Sequence, residues 1–276
     1  MEYVLNHNFL RESPQLIVGF LYLYKKYIMK FIKVFENDAA YAAYRDSGNG
    51  YIRPNVSLSR NTKKVFYNNP IWEANGHDYV DLGLPSGTLW ATMNVGASNP
   101  SDRGLYFQWG DTVGYTASEV GTGSGQKKFS SDWSDYKWYL SGSGVDPKFK
   151  KYTTTGATLE LEDDAAHANM GGDWHMRSPA QIQELIDNTT SAWTTLNSVS
   201  CIKFTSTKDT SKFIFIPAVG KAFDGSVYNA HYGYVWSSML VGGAPDGGQE
   251  LYFSSGYANL YYDSRSYGLS VRGVLG

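Results

Sequence analysis

The sequence predicts an α+β domain built from many short strands and two helices, and three features favour that class. From His77 onward, short segments rich in aromatic and β-branched residues are separated by Gly, Pro, Asn and Ser. Only two stretches have helical spacing, and they do not alternate with the strand-like segments. The chain has 276 residues, 42% of them hydrophobic, which is typical of a globular protein with one large domain or two smaller ones. We expect the main domain at residues 76–276.

Residues 1–28 differ in texture from the rest of the chain. They contain a short apolar patch, but no basic n-region and no small-residue cleavage site. The longest apolar run, from Leu16 to Leu23, is far shorter than the ~20 residues that span a bilayer. Met29 opens a segment, MKFIKVF, that is typical of a natural start. We therefore expect an upstream extension at residues 1–28 and no transmembrane helix, with a secretory signal peptide as the alternative.

Residues 29–70 are predicted to form a small β-α-β-β module. Its elements are a strand at FIKVF (31–35), a helix over AAYAAYRD (39–46) capped by Asn37 or Asp38, and strands at YIRPNVSLS (51–59) and KVFYN (63–67). So short a module buries little core alone, so we expect it to dock onto a neighbour or act as an adaptor. Residues 41–70, with PNVS and VFYN at their core, resemble a short module at the N-termini of proteins from phages and mobile elements of gut bacteria. The resemblance implies contacts with other virion proteins.

In the main domain, each element is predicted from its local pattern. Strands are expected at YVDLGL (79–84), TLWATMNV (88–95), GLYFQWG (104–110), FIFIPAVG (213–220), YVWSSM (234–239), ELYFSS (250–255) and LSVRGV (269–274). One helix is expected over Leu159–Ala168. The other is expected to begin at Pro179 after the N-cap Ser178, with apolar spacing at Ile182, Leu185 and Ile186.

Four motifs of this domain resemble the Fibrobacter succinogenes major paralogous domain family. They are YVDLGLPSGTLWATMNVGA (79–97), YFQWGDT (106–112), LELEDDAAHANMGGDWHMRSPAQIQELI (159–186) and YGYVWSSM…LYFSS…YGLSVRGV (232–274). The family is related to the C-type lectin-like and formylglycine-generating-enzyme folds, so the resemblance implies a C-type lectin-like fold. Within these motifs, we interpret Trp90, Trp109, Trp174 and Trp236 as core anchors.

We predict no metal site and no cofactor. Glu160, Glu162, Asp163 and Asp164 form an acidic cluster that could hold calcium or act as catalytic carboxylates. We favour a solvated helix face, because two helical turns rarely present a full oxygen cage. The tripeptide and strand motifs of lectin-type calcium sites are missing. The histidines at 77, 167, 175 and 231 lack a metal-binding spacing such as HExxH, and we interpret His175 as structural.

We also predict that the chain is not an enzyme. Its single cysteine, Cys201, is expected to be a buried, inert thiol, whereas formylglycine-generating enzymes need reactive cysteines. Fingerprints such as GxSxG, the P-loop and the dinucleotide motif are missing in a suitable context. A divergent hydrolase using the carboxylates of Glu160–Asp164 or His175 remains the alternative. The net charge of −2 argues against a nucleic-acid partner.

The C-terminal fifty residues have the composition of a recognition surface. Residues 227–276 hold 8 of the 22 tyrosines and no lysine. Tyr supplies contact area at low entropic cost, and Ser and Asn supply adaptable hydrogen bonds, as in antibody paratopes. An ordinary Tyr-rich β-surface is the alternative. The candidate ligand-contacting residues are Tyr228, Asn229, His231, Tyr232, Tyr257, Asn259, Tyr261, Tyr262, Asp263, Ser264, Ser266 and Tyr267.

These twelve residues resemble the variable positions of proteins diversified by phage and bacterial retroelements. In that group the variable residues lie at the C-terminal end of a C-type lectin-like domain, and adenine-directed mutagenesis yields mainly Asn, Tyr, Asp, Ser and His. They are interspersed here with framework-like residues such as Gly233, Trp236 and Arg272. We expect Tyr257, Asn259 and Tyr261 on one strand face, and Trp236, Phe253 and Val271 buried beneath the surface.

The resemblance implies a non-enzymatic receptor-binding or display protein of a phage or prophage. It would be virion-associated or at the cell surface, as a homo-oligomer, and its partner would be a protein or glycan receptor on a bacterial cell. The alternative is a cell-surface adhesin or glycan-binding protein of a gut bacterium.

Overall fold

The computed structural model describes the backbone of Tyr3–Leu5, Ile32–Val34, Arg53–Asn55 and residues 67–276 except 144–145, and the side chains of residues 71–276 except 143–145. The chain divides into two compact units, Met1–Ala74 and Asn75–Gly276. Apart from Tyr3–Leu5, the expected upstream extension at residues 1–28 lies outside the described residues, as does the expected helix over residues 39–46. Within the described part of the chain, the helices are too short or too polar to cross a membrane.

The described strands of the first unit form two pairs. Strands β1 (Tyr3–Leu5) and β2 (Ile32–Val34) pair in parallel. Strands β3 (Arg53–Asn55) and β4 (Tyr67–Ala74) pair antiparallel, with a register shift between Pro54 and Asn55. The shift lies beside a residue that has no amide hydrogen to donate to a ladder. Strands β2 and β3 fall within two of the segments predicted as strands.

The second unit is mixed α+β and mostly strand, as the sequence predicts. Its described strands are β5 (His77–Val80), β6 (Leu89–Ala91), β7 (Tyr106–Phe107), β8 (Tyr139–Ser143), β9 (Asp146–Phe149), β10 (His175–Met176), β11 (Thr189–Leu196), β12 (Val199–Ser206), β13 (Phe213–Pro217), β14 (Lys221–Phe223), β15 (Ser226–Tyr228), β16 (Gly233–Leu240), β17 (Gly247–Ser254), β18 (Tyr257–Ser264), β19 (Leu269–Ser270) and β20 (Gly273–Leu275). The helices are α1 (Ala165–Met170) and α2 (Pro179–Asn188), and a 3₁₀ turn covers Leu161–Asp163.

Several small sheets organise these strands. Five strands hydrogen-bond in the order β18-β17-β16-β19-β7, in which only β16 and β19 are parallel. Strands β10, β20, β6 and β5 follow one another antiparallel, and β11, β12 and β13 form a three-stranded sheet. Strands β8 and β9 form a hairpin, as do β14 and β15. Among the described strands, β18 is therefore an edge strand, and the candidate site lies on its sheet.

Helix α2 begins at Pro179, as predicted, because the preceding residue satisfies the amide groups of the first turn. The Ser178 hydroxyl accepts from the Gln181 backbone N–H, and the Gln181 side chain accepts from the Ser178 N–H, which forms a capping box. Ile182 and Leu185 are buried, and the helix contacts β16, β17 and β18. The helix thus supports the sheet that carries the candidate site.

The prediction of one helix over Leu159–Ala168 is wrong in its continuity. A 3₁₀ turn ends at Asp163, and Asp164 has extended backbone angles, with φ −83° and ψ 115°. The Asp164 carboxylate accepts from the His167 N–H and so starts α1 as an N-cap. A short acidic side chain that bonds to the backbone in this way competes with helix propagation.

Five of the predicted strands are also shorter than expected or interrupted. The segments at 79–84, 88–95, 104–110 and 213–220 are strand only in part, as β5, β6, β7 and β13, and the segment at 269–274 is divided into β19 and β20. Left-handed glycines bound the segment that contains β7, with φ of +68° at Gly104 and +75° at Gly110. The predicted aromatic core is confirmed, because Trp90, Trp109, Trp174 and Trp236 are completely buried. Cys201 is buried as expected, and burial raises the pKa of its thiol.

Candidate ligand-binding face

The alternation expected along β18 is present. Tyr257, Asn259 and Tyr261 are exposed, whereas Ala258 and Leu260 between them are less exposed. Successive strand side chains point to opposite faces, so the three exposed residues share one face of the sheet. The other face continues into a completely buried pair on β17, because Phe253 pairs with Ala258 and Leu251 with Leu260.

Tyrosine rings on the exposed face surround Tyr252 of β17. The ring centroid of Tyr252 lies 5.4 Å from that of Tyr234, 5.9 Å from those of Tyr257 and Tyr261, and 6.0 Å from that of Tyr232. Aromatic pairs at such distances attract each other beyond the area they bury. The rings therefore hold one another in place on the sheet.

A second group of rings, from the β14–β15 hairpin and the C-terminal turn, lies beside the rings that surround Tyr252. The Phe223 ring stacks on Tyr228 at 4.2 Å and on Tyr267 at 4.8 Å between centroids. The Lys221 ammonium connects the groups, since it lies 4.9 Å from the Tyr234 ring centroid and 5.4 Å from that of Tyr267. We call the eight rings the tyrosine face: Phe223, Tyr228, Tyr232, Tyr234, Tyr252, Tyr257, Tyr261 and Tyr267.

Of the twelve predicted ligand-contacting residues, seven are exposed: Tyr228, Asn229, His231, Tyr257, Asn259, Tyr261 and Tyr262. Four are half-buried: Tyr232, Asp263, Ser264 and Tyr267. Tyr262 follows Tyr261 on β18, so its side chain starts from the opposite face of the sheet. Its ring is nevertheless stacked against that of Tyr261, with 6.0 Å between centroids.

The assignment of Ser266 to a ligand surface is wrong, because this residue is completely buried. Its carbonyl accepts from the Gln108 amide at 2.8 Å, and its hydroxyl lies 3.1 Å from that of Ser264. Its neighbour Arg265 is also completely buried and holds the turn inward. The segment is rich in polar residues, so its composition did not indicate that two of them, Arg265 and Ser266, point into the interior.

Sequence reasoning missed four members of the surface or its margin: Lys221, Phe223, Tyr234 and Tyr252. Tyr252 lies between the buried Leu251 and Phe253, so strand alternation could have revealed it. Lys221 and Phe223 come from another hairpin, and their local sequence carries no signal for this long-range contact.

Two carboxyl groups lie on the same face of the sheet. Glu250 is opposite Tyr261, and Asp263 is opposite Gly248, so the register makes the two acids diagonal neighbours. Lys221 forms an ion pair with Asp263, and both side chains are largely buried. Glu250 is only 1% exposed, and its Oε2 has no hydrogen-bond partner among the described residues. Burial and the Asp263 charge raise the pKa of Glu250 well above its usual value, whereas the Lys221 charge lowers it.

Buried arginines fasten the segment that carries this face. The Arg265 Nε donates to the Tyr136 hydroxyl at 2.9 Å, and its two other nitrogens donate to the carbonyls of Lys151, Tyr152 and Pro245. The Arg272 Nε donates to the Asn94 Oδ1 at 3.0 Å, and its other nitrogens donate to the carbonyls of Ala91 and Phe215. Backbone carbonyls from distant segments therefore hold both arginines.

The acidic cluster after β9 is not the solvated helix face that the sequence indicated, because Asp163 and Asp164 are buried. One carboxylate oxygen from each of Glu160, Glu162 and Asp163 could together coordinate a cation, and these atoms lie within 4.8 Å of one another. The Lys151 ammonium occupies the centre, 2.6, 2.9 and 2.6 Å from the oxygens of the three residues in that order. Burial acts to raise the pKa of Asp163, but hydrogen bonds from Lys151, Tyr152 and Lys137 lower it overall.

His175 lies in a structural position, since its Nδ1 is at hydrogen-bond distance, 3.1 Å, from the Val274 carbonyl oxygen. This contact joins β10 to β20.

Comparison with protein-family models, with curated proteins and with solved structures finds no match.

Proposed function

We propose that this chain is a non-enzymatic binding protein whose tyrosine face contacts a receptor on a bacterial cell surface. Two groups of packed rings, one on the sheet and one on the β14–β15 hairpin and C-terminal turn, are joined by the Lys221 ammonium, and this arrangement carries the proposal. Tyr side chains give large amphipathic contact area with little rotamer entropy to lose. Rings that already pack against one another lose even less on binding, which favours affinity.

We further propose a C-type lectin-like fold in which a retroelement diversifies the exposed C-terminal positions. The four sequence motifs support the fold assignment. The separation between exposed Tyr257, Asn259 and Tyr261 and the completely buried Trp236 and Phe253 supports diversification, because surface positions can change without disturbing the core. The protein would be displayed in several copies on a phage or prophage particle, where multivalency raises avidity. Residues 29–70 would attach it to other virion proteins.

Cell staining tests the binding function. The full chain, biotinylated and tetramerised on fluorescent streptavidin, is incubated with a panel of gut bacteria and read by flow cytometry. The test variant carries Tyr228→Ser, Tyr257→Ser and Tyr261→Ser, which are 41%, 46% and 59% exposed. The matched control carries Val113→Ser, Leu140→Ser and Leu161→Ser, equally exposed apolar residues in other segments, at 54%, 58% and 54%.

We expect staining by the wild type and the control, and its loss in the tyrosine variant, with similar melting temperatures for all three. Equal loss in both variants would reject the tyrosine face as the contact surface. Treatment of the cells with protease or with periodate separates a protein receptor from a glycan receptor. The flanking DNA tests diversification: we expect a near-copy of the 3′ coding end that differs only at adenines, beside a reverse transcriptase gene.

A further inference from the structure

We propose that the tyrosine face binds a basic group of its ligand, an arginine or lysine side chain, at the carboxyl pair of Glu250 and Asp263. The inference rests on the proposed binding function and specifies the chemistry of the ligand. It follows from the charges, the rings and one unpaired oxygen at this place.

The place already accommodates one cation. The Lys221 ammonium contacts the Asp263 carboxylate and lies 4.9 Å from the Tyr234 ring centroid, 5.4 Å from that of Tyr267 and 6.0 Å from that of Phe223. Carboxylates and the faces of electron-rich rings both attract cations. The surroundings of Lys221 are therefore those in which a second basic group would be stabilised.

Once Glu250 has lost its proton, the two carboxylates carry one more negative charge than Lys221 compensates. Glu250 and Asp263 are two acids, and Lys221 is the one cation in contact with either of them among the described residues. Arg265, next but one to Asp263, does not compensate, because its nitrogens donate to a hydroxyl and three backbone carbonyls. The remaining titratable groups facing the pair are tyrosine hydroxyls. Burial raises the pKa of Tyr234, Tyr252 and Tyr267, so these three are neutral at physiological pH, and Tyr261 lies opposite Glu250.

The unpaired oxygen of Glu250 identifies the atom to which a ligand donor would bind. A buried carboxyl oxygen without a partner costs free energy, which a donor from the ligand would recover. Two side chains lie directly across from Glu250 on this face of the sheet: Trp236 of β16, which is completely buried, and Tyr261 of β18, which is 59% exposed. Exposed side chains change rotamer readily, so a ligand group would reach Glu250 from the Tyr261 side of the strand and not from the Trp236 side.

Binding of a cation also changes the ionisation of the site. Burial favours the neutral form of Glu250, and an adjacent basic group favours the carboxylate. The Glu250 carboxyl then loses its proton to solvent and pairs with the incoming cation. Affinity for a basic group should therefore rise with pH until it passes the raised pKa of Glu250 in the free protein, and level off above it.

Two small probes test the proposal on the full chain by NMR titration. N-acetyl-arginine amide carries the guanidinium, and N-acetyl-citrulline amide has nearly the same shape without the charge. We expect the arginine probe to bind about tenfold more tightly, with shifts at Tyr252, Tyr261 and Lys221. Equal affinity for the two probes, or shifts confined to other residues, would overturn the proposal.

Two variants move the affinity in opposite directions, so unfolding cannot mimic the result. Glu250→Gln should weaken the arginine probe about fivefold and remove the pH dependence, while Lys221→Met should tighten it by removing the resident cation. Glu162→Gln, an exposed acid elsewhere, should leave the affinity unchanged. Weaker binding to Lys221→Met would reject the model of a shared cation site. If cell staining depends on the tyrosine face but the probes are not distinguished, only the basic-ligand inference fails.

Discussion

The Arg265 guanidinium carbon lies 3.7 Å from the centroid of the Phe149 ring, which joins the C-terminal turn to the β8–β9 hairpin. The same side chain bonds to the Tyr136 hydroxyl and to three carbonyls. Burial lowers the pKa of Arg265, and its nearby acceptors act to raise it. A cation held by a ring and by carbonyl dipoles is thus part of the structural frame of the binding surface.

Arg265→Met should destabilise the domain by at least about 3 kcal/mol, because it leaves buried carbonyls without donors. Arg265→Lys should fall between the wild type and this variant, since an ammonium cannot reproduce the planar fork of donors. Urea unfolding of the three proteins measures the difference. A loss under about 1 kcal/mol for Arg265→Met would show that the carbonyls find other donors.

Trp236→Ala should destabilise the domain by about 3–5 kcal/mol, as is usual for truncating a buried large aromatic residue. The side chain is completely buried, and its Nε1 donates to the Phe107 carbonyl at 2.7 Å. By contrast, Tyr261→Ser removes an exposed ring of the tyrosine face and should cost about 0.5 kcal/mol or less. Thermal unfolding of both variants in parallel measures the two changes. Similar losses of stability would contradict the assignment of Trp236 to the core and of Tyr261 to the exposed face.

The stability difference between Glu250→Gln and the wild type should grow as the pH rises. The pKa of Glu250 is raised by folding, so the folded state binds more protons than the unfolded state above the ordinary glutamate pKa. The wild type therefore loses stability as the pH rises from that value towards the raised pKa, whereas the glutamine variant lacks this contribution. Urea unfolding from pH 4 to pH 8 measures the trend, and parallel curves would contradict it.

Excess EDTA should leave the melting temperature of the wild type unchanged, because the Lys151 ammonium already occupies the centre of the acidic cluster. Lys151→Met should behave differently, since the three carboxylate oxygens then lose the ammonium at their centre, and Lys137 still pairs with Asp163. We expect calcium to raise the melting temperature of this variant and not that of the wild type. A drop on chelation in the wild type, reversed by calcium, would instead identify a native metal site.

Asn259→Ala should increase self-association of the chain. The Asn259 Oδ1 accepts from the Leu260 N–H at 2.8 Å, which covers an amide on the open edge of β18. An uncovered edge strand with exposed aromatic residues pairs readily with another strand. Sedimentation velocity over a concentration series measures the effect, with Asn99→Ala, another exposed asparagine, as the control. Equal behaviour of the two variants would show that the amide cover is unimportant.

Local signals explain what the sequence could predict. The Ser178 cap acts within one helical turn, and the alternation of Tyr257, Asn259 and Tyr261 requires only a strand. The errors arise where a single side chain redirects the backbone. Asp164 ends one helical stretch and starts another, and the interior bonds of Arg265 carry Ser266 inward.

Long-range contacts explain what the sequence could not predict. Lys221 reaches Asp263 across 42 positions of the chain, and Phe223 stacks on Tyr267 of the C-terminal turn. Such partners are determined by tertiary packing.

The alternation along β18 has a practical consequence for protein engineering. Tyr257 and Tyr261 are exposed on one side of the strand, while the other side continues into the buried Leu251 and Phe253 of β17. Randomising these two tyrosines together with Tyr228 would sample new surface chemistries on an unchanged interior, if Asn259 is kept to cover the strand edge. The domain therefore offers a starting scaffold for selecting binders in the laboratory. The positions to be randomised are separate in the sequence from the positions that maintain the fold.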